Sequence, residues 1–400
     1  MSSIKIENSI LSGEVLIPPS KSIAHRALIC SFLAGEGEVT PIIASNDMKA
    51  TTEALKSLKN NEPVINCIES GSTLRFMIPV AAALGKSVTF VGEGRLPERP
   101  IGDYLRLLPE HNISCTSNGG LPLKIEGQLT SGVYEIAGNV SSQYITGLLL
   151  ALPVLDGDSE IILTTSLQSK PYADMTIRVM EDYGIKIEET EKGYFIKGNQ
   201  IYKKRDYTVE SDWSQAAFFL VAGAVNGEIV LKGLDTCSVQ GDKAIVDILK
   251  ELGADIETGA DYIKAKKSVL NGKEIDVTDI PDTVPALAVA AAFADGTTVI
   301  RGGERLRLKE SDRIESVVTN LRLMGADVTE TRDGMIIKGG KSLKGAKLKG
   351  CNDHRIVMAF SVAAANVSGK TVIDDMESIN KSYPSFFEDY RKLGGKADVI

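Results

Sequence analysis

Six times along this chain a short polar or charged cluster opens an apolar stretch that ends near a glycine and runs into a candidate β-strand. The openings are Ser20-Lys21-Ser22, Ser70-Gly71-Ser72, Ser141-Ser142-Gln143, Ser211-Asp212-Trp213, Pro281-Asp282-Thr283 and Asn352-Asp353-His354, and from the second onward they recur about every 70 residues. Self-similarity at a fixed period marks a repeated supersecondary unit, so the chain is expected to fold as copies of one α/β motif. A helix N-terminus presents unpaired N–H groups and the positive end of a dipole, which suits an anion. Several of these openings also carry Lys or Arg, which points to anionic substrates.

Stretches such as Ala217–Ala224 and Ala286–Phe293 are apolar nearly all round, which predicts buried helices. Strands are expected after them at Ser87–Val91, Glu160–Leu163, Glu228–Leu231, Thr297–Ile300 and Lys370–Ile373. About 30 residues after each opening, and about 25 in the first unit, an amphipathic helix begins, as at Ala244–Leu252 and Arg313–Leu323. Gly184, Gly253, Gly325 or Gly394 stops it, and a polar-tipped hairpin follows, as in Ile185–Lys197 and Asp327–Lys338. The sixth unit lacks a second hairpin strand, and Ile4-Lys5-Ile6 is able to supply it. Two domains are therefore expected: residues 20–208 with units one to three, and residues 1–19 plus 209–400 with units four to six. The charged run Lys203-Lys204-Arg205-Asp206 lies near the boundary. Buried helices walled by sheets make each domain an inside-out α/β barrel. Two crossing segments make a hinge, and the active site is expected in the interdomain cleft, with closure over substrate.

The formal net charge of −8 argues against a nucleic-acid or membrane-surface protein, whose footprint would be a basic excess. The five cysteines (Cys30, Cys67, Cys115, Cys237 and Cys351) are odd in number and form no CxxC, which fits a reducing compartment. Three histidines without an HxxxH make a structural zinc site unexpected. No apolar leader opens the chain, and the longest apolar runs, such as 286–294, are too short to span a bilayer. A cytoplasmic monomer is expected, with small-molecule substrates and neither nucleic-acid nor membrane partners.

In the first opening, Pro18-Pro19 hold the approach extended and Ser20 is suited to cap the helix. Lys21 and Ser22 then lie at the positive end, with Arg26 about one turn on. Two cations and a hydroxyl there suit a phosphate or carboxylate; a capped helix with solvated basic residues fits equally. In Ser70-Gly71-Ser72-Thr73-Leu74-Arg75 the glycine lets an anion approach the backbone. Arg95 and Arg99 stand just before another helix, Ser141, Ser142 and Gln143 offer donors or a cap, and Ser169-Lys170 opens a further helix. Asp282 lies between Ile280-Pro281 and a helix of Ala, Val and Leu. An N-cap with a lowered pKa is its simpler reading, and a base facing a hydroxyl is compatible with it. The segment from Arg307 through Lys309, Glu310 and Asp312 to Arg313 reads as a solvated helix start or a site. Asn352-Asp353-His354-Arg355 does not suit solvation, because Ile356-Val357-Met358 follows at once, and Lys381 adds a last cation near a helix start.

Nine segments carry a resemblance: Pro19-Ser20-Lys21-Ser22, Glu98-Arg99-Pro100-Ile101-Gly102, Ser141-Ser142-Gln143-Tyr144, Ser169-Lys170-Pro171-Tyr172, Glu210-Ser211-Asp212-Trp213-Ser214, Ile280-Pro281-Asp282, Lys309-Glu310-Ser311-Asp312-Arg313, Asn352-Asp353-His354-Arg355 and Lys381-Ser382-Tyr383-Pro384. In that order, nearly end to end, the chain resembles the 5-enolpyruvylshikimate-3-phosphate synthases, enolpyruvyl transferases of the shikimate pathway. The resemblance implies two domains of three βαβαββ units each. It implies transfer of the enolpyruvyl group of phosphoenolpyruvate to the 5-hydroxyl of shikimate 3-phosphate, with release of phosphate. The implied route is addition then elimination through a tetrahedral intermediate, with no metal or organic cofactor.

Carried over by motif, Lys21, Ser22, Arg26, Ser141, Ser142, Gln143, Ser169, Asp282 and Lys309 would meet shikimate 3-phosphate. Lys21, Gly71, Arg99, Gln143, Arg313, Arg355 and Lys381 would hold phosphoenolpyruvate. Asp282 would accept the 5-hydroxyl proton, Glu310 with Lys21 would handle protons at the enol carbons, and His354 would support that region. Glu69 and Arg305 stand where the family often has Asn, and Tyr144 replaces the more usual Phe. Two alternatives are set against this reading. The sister transferase acting on UDP-N-acetylglucosamine has Lys-Asn in the first motif and a reactive Cys on a mobile loop. Here the motif is Lys21-Ser22, and Cys115 falls in an expected strand without a neighbouring cation. A non-catalytic repeat protein binding anions would carry six interchangeable openings, whereas these six differ.

Overall fold

The computed structural model describes residues 2–400. The chain forms two compact units: Pro19–Val209, and the N-terminal segment up to Pro18 together with Glu210–Ile400. The helices that follow the openings are Lys21–Leu33, Gly71–Ala83, Ser142–Ala151, Trp213–Val225, Val284–Phe293 and His354–Ala365. Every residue of Trp213–Val225 and of His354–Ala365 is buried. Helices so apolar gain their stability from burial, at about 1.5–3 kcal/mol for each large aliphatic or aromatic side chain.

Five of the six start on a side-chain cap. Ser20, Ser70 and Ser141 accept from the N–H groups of Ile23, Thr73 and Gln143, and Asp212 and Asp353 accept from those of Ser214 and Arg355. The fifth departs from the expectation. A 3-10 turn, Pro281–Thr283, runs into Val284–Phe293, and neither start has a side-chain cap. Asp282 is therefore not an N-cap: neighbouring cations hold its carboxylate instead. Lys381 closes a 3-10 helix, Met376–Lys381, and stands shortly before the helix Phe386–Lys392, near a helix start as expected.

Five four-stranded sheets repeat one plan. A strand before the opening pairs parallel with the strand after the buried helix, and the second and then the first strand of the hairpin complete the sheet antiparallel. The parallel step needs a crossover, which the opening helix provides. The complete examples are Val64–Asn66, Val88–Val91, Leu123–Gly127, Ile113–Thr116; Val133–Ile136, Ser159–Leu163, Gly193–Ile196, Glu188–Thr190; and Glu274–Asp276, Thr297–Arg301, Met335–Lys338, Asp327–Glu330.

The chain start completes the other two. Ile4–Glu7 sits between Lys370–Ile373 and Lys396–Val399, with Ile4 opposite both Ile373 and Val399. It takes the place of the hairpin strand that the sixth unit lacks. Ser12–Leu16 pairs parallel with Glu228–Lys232 and leads the fourth unit. Asn226, at the end of Trp213–Val225, fixes the link between these strands: it accepts from the Leu11 N–H at 2.6 Å and donates to the Ser9 carbonyl at 3.0 Å.

The first unit is shorter than three full βαβαββ copies in its domain would require. Among the described residues its strand Val39–Thr40 pairs only with Tyr207–Thr208. The helix Asn46–Lys59 then passes through residues 60–63 straight into Val64–Asn66, which leaves no room for a hairpin. Among the described residues no helix is long and apolar enough to cross a membrane.

Candidate functional site

In the unit Pro19–Val209 the first three openings are tied together by side chains. Ser70 caps its helix through the Thr73 N–H, which leaves the N–H groups of Gly71 and Ser72 without a protein acceptor among the described residues. Two guanidinium groups close over that backbone. A Cβ on Gly71 would stand 2.6 Å from Arg99 Nη1 and 2.9 Å from Arg75 Nη1. Gln143 links the second and third openings: its Oε1 accepts from Arg75 Nη1 at 2.8 Å, and its Nε2 donates to Ser72 Oγ at 3.0 Å. Backbone N–H groups, two guanidiniums, a hydroxyl and an amide thus converge on a glycine, which is a cradle for an anionic oxygen group.

Lys21 is 12% exposed and pairs with Asp47 at 2.7 Å. Arg26 lies deeper, and protein acceptors hold its guanidinium. Nε donates to Thr176 Oγ1 at 2.7 Å, Nη1 to the Ser22 carbonyl at 2.6 Å, and Nη2 to the Tyr172 carbonyl at 3.0 Å. Burial lowers its pKa to about 10. Arg26 thereby joins the Ser22 segment to the helix that Ser169 opens. Ser169 itself is buried in a left-handed conformation with φ 56°, and its side chain caps nothing. Ser142 is buried in the first turn of its helix, beside the capping Ser141.

His25 connects the first two openings from below. Its Nδ1 meets Thr51 Oγ1 at 2.6 Å, Thr51 meets Thr73 Oγ1 at 2.6 Å, and Thr73 donates to Ser70 Oγ at 2.8 Å. Since Thr73 gives its proton to Ser70, Thr51 must donate to Thr73 and His25 must donate from Nδ1. Burial, with the nearby charges of Lys21 and Arg26, keeps the imidazole neutral by holding its pKa well below the usual range.

The other unit gathers a second cluster around Arg313. This guanidinium, 1% exposed, donates from Nε to Asp353 Oδ2, from Nη1 to Asp282 Oδ1 and from Nη2 to Glu310 Oε2, each at 2.8 Å. Burial opposes its charge, and the carboxylates of Asp353, Glu310 and Asp282 overcome that and raise its pKa. Asp282 is also met by Arg355 Nη2 at 2.8 Å and by Lys309 Nζ at 3.6 Å. Burial pushes the Asp282 carboxyl up, but Arg355, Lys309 and Arg313 together hold it well below the carboxylate range. Burial lowers Lys309 to about 8, with Asp282 working the other way. His354 is buried, with Nδ1 3.9 Å from Asp353 Oδ1, and Lys381 Nζ donates to the Asn352 carbonyl at 2.7 Å. Four cations (Lys309, Arg313, Arg355 and Lys381) stand among three carboxylates, which suits the arrival of an anion.

The residues expected at a site thus fall into two groups, one in each unit. Asp47, Asp353 and Ser214 were given no roles from the sequence, whereas Ser72 and Arg75 belong to the second opening, in which hydroxyls and then an arginine follow the glycine. Nothing local marks Asp47, whose partner Lys21 is 26 residues away. Of the two family departures, Glu69 lies against Gly94, and Arg305 Nη2 donates to the Thr278 carbonyl at 2.7 Å. Burial raises the Cys115 thiol, which makes it a poor nucleophile.

Comparison with known proteins matches the family described as EPSP synthase (3-phosphoshikimate 1-carboxyvinyltransferase) over residues 6–64 and 57–390. The 3-phosphoshikimate 1-carboxyvinyltransferase of Clostridium novyi is 46% identical, covering 100% of this chain and 99% of that one. Its counterpart from Clostridium kluyveri is 45% identical at the same coverage of 100% and 99%. Among solved structures, an EPSP synthase from Acinetobacter baumannii superposes with TM-score 0.83 and 26% identity over 100% of both chains. The enolpyruvyl transferase NikO from Streptomyces tendae shares the fold, with TM-score 0.78 at 17% identity over 100% of this chain and 99% of that one.

Proposed function

We propose that this chain, which belongs to the EPSP synthase family of 3-phosphoshikimate 1-carboxyvinyltransferases, transfers the enolpyruvyl group of phosphoenolpyruvate to the 5-hydroxyl of shikimate 3-phosphate and releases phosphate. The observation that carries this reading is Asp282, a carboxylate only 15% exposed and gripped by Lys309, Arg313 and Arg355. Each of these residues lies in a motif of the family. Each unit is read as an inside-out α/β barrel with sheets outside its buried opening helices, and the two clusters serve one reaction.

Lys21, Arg99, Gln143 and the Gly71 backbone take the phosphate that becomes the leaving group, while Arg313, Arg355 and Lys381 complete the hold on phosphoenolpyruvate. Ser22, Ser141, Ser142, Ser169 and Lys309 seat shikimate 3-phosphate, with Arg26 fixing the Ser22 and Tyr172 carbonyls. Asp282 accepts the 5-hydroxyl proton as that oxygen attacks C2 of phosphoenolpyruvate, and a proton from Lys21 or Glu310 reaches C3. Elimination then removes a proton from C3 and expels phosphate, which restores the C2–C3 double bond and leaves the enol ether on the 5-oxygen. The cations lie where negative charge gathers and need little rearrangement in the transition state.

The ion pairs also suggest how the base is switched on. An Asp282 paired with two guanidiniums is a weak base. An anionic substrate that claims Arg355 and Arg313 removes countercharge from Asp282 and raises its basicity as the hydroxyl arrives. The deciding experiment is phosphate release from shikimate 3-phosphate plus phosphoenolpyruvate, with UDP-N-acetylglucosamine as a competing acceptor. Release with the shikimate acceptor alone is expected; release with the sugar nucleotide alone would overturn the reading.

A further inference from the structure

The fourth opening, Ser211-Asp212-Trp213, differs from the other five. Its helix N-terminus is already filled. Asp212 Oδ1 accepts from the N–H groups of Ser214 at 2.9 Å and Gln215 at 3.0 Å, and Gln240 Oε1 accepts from the Trp213 N–H at 3.1 Å. No N–H of that first turn is left for an anion. The same carboxylate oxygen accepts a further hydrogen bond, from the Ser214 hydroxyl at 2.6 Å. Having given its proton to Asp212, Ser214 Oγ has lone pairs left, and Arg355 Nη2 donates to it at 3.2 Å.

Arg355 is thereby held on two sides. Nη2 bridges Ser214 Oγ and Asp282 Oδ2, and Nη1 reaches the Asp282 carbonyl at 3.1 Å. These groups are buried: Asp212 and Arg355 are 2% exposed and Ser214 is 5%. In such surroundings a hydroxyl polarised by a carboxylate is a stronger acceptor than a hydroxyl alone. Asp282 is the one partner of this guanidinium that the proposed reaction must release. The Ser214 contact does not depend on that carboxylate.

We propose that Ser214, polarised by Asp212, is a positioning residue for Arg355: it keeps the Nη2 edge of the guanidinium fixed when Asp282 lets go, so that the group meets phosphoenolpyruvate in one orientation. The inference rests on the reading of Arg355 as a phosphoenolpyruvate ligand. It gives the fourth opening a task inside the protein, in place of the anion binding suggested by its likeness to the others.

Ser214→Ala removes the relay and leaves the helix start intact, because Asp212 still accepts from the two backbone N–H groups. With the full-length enzyme the KM for phosphoenolpyruvate is expected to rise roughly tenfold, the lower end for losing a hydrogen bond to a charged group, while the KM for shikimate 3-phosphate stays within about twofold. Ser214→Thr, which keeps the hydroxyl, restores the first value. An unchanged KM for phosphoenolpyruvate, or an equal rise in both, overturns the proposal.

A second readout needs no substrate. The side-chain Nε–Hε resonance of Arg355 in nitrogen-15 spectra, assigned by its loss in Arg355→Lys, is expected to shift or broaden in Ser214→Ala and to return in Ser214→Thr, with that of Arg313 unmoved. If the wild-type enzyme releases no phosphate, the functional reading fails, and this resonance still judges the anchor: an unmoved Arg355 signal overturns it.

Discussion

Replacing Gly71 with alanine tests the phosphate cradle in the unit Pro19–Val209. The added Cβ would stand 2.6 Å from Arg99 Nη1, 2.8 Å from Arg99 Cζ and 2.9 Å from Arg75 Nη1, all closer than real carbon contacts allow. The obstructing atoms are the far ends of flexible side chains, so the guanidiniums swing aside and the backbone stays. Gly71 begins a helix with no unusual φ, and alanine is the better helix former by up to about 1 kcal/mol. The fold should therefore persist, with a melting temperature unchanged or raised. The loss falls on the anion site. Displacing Arg99 removes one hydrogen bond between charged groups, about 1.5–3 kcal/mol, which corresponds to roughly a ten- to 150-fold rise in KM for phosphoenolpyruvate. Shikimate 3-phosphate should keep its KM within about twofold, because Ser141, Ser142 and Ser169 lie on other helix starts. Steady-state phosphate release with each substrate varied in turn separates the two. An unchanged KM for phosphoenolpyruvate, or a matching rise in both, would refute the idea that Gly71 is kept small for the phosphate.

Arg313→Ala leaves Asp282, Glu310 and Asp353 around an empty site, and breaking so buried a set of pairs should cost about 3–5 kcal/mol in urea denaturation at neutral pH. A cost below about 1 kcal/mol would mean that water already screens the cluster. Lys309, lowered to about 8, must be protonated to attract a phosphate. Values of kcat/KM for shikimate 3-phosphate should therefore fall as pH rises through about 8, and in Lys309→Arg that limb should move to higher pH; an unmoved limb contradicts the assignment.

Much of the architecture was legible because it is local. Apolar helices with a capping residue before them and a C-cap glycine after the next helix leave a periodic trace, and Ser20, Ser70, Ser141, Asp212 and Asp353 all cap as their type and position suggest. The chain start was legible for a different reason: a unit short of one strand and a spare apolar strand elsewhere imply each other. What stayed hidden was decided across long stretches of chain. Asp282 stands where a cap would, yet its carboxylate turns to Arg313 and Arg355, 31 and 73 residues further on, because buried charge pairs outweigh one capping bond. The partners of Arg26, the Thr176 hydroxyl and the Ser22 and Tyr172 carbonyls, were likewise hidden, because two of them lie on segments about 150 residues away. The missing hairpin of the first unit was foreshadowed by the distance from the first opening at Ser20 to the second at Ser70, which is shorter than the period of about 70 residues that the later openings keep.

As the proposed base, Asp282 is held weak by the same cations that are proposed to bind substrate. Asp282→Asn keeps the size of the side chain and removes its charge. Turnover should fall by about 10²–10⁴, the usual worth of a positioned general base. Binding of shikimate 3-phosphate and phosphoenolpyruvate, measured by calorimetry, should hold or tighten, because Lys309, Arg313 and Arg355 lose a competing anion. Turnover within about fivefold of wild type, or binding weakened as much as turnover, would contradict that proposal.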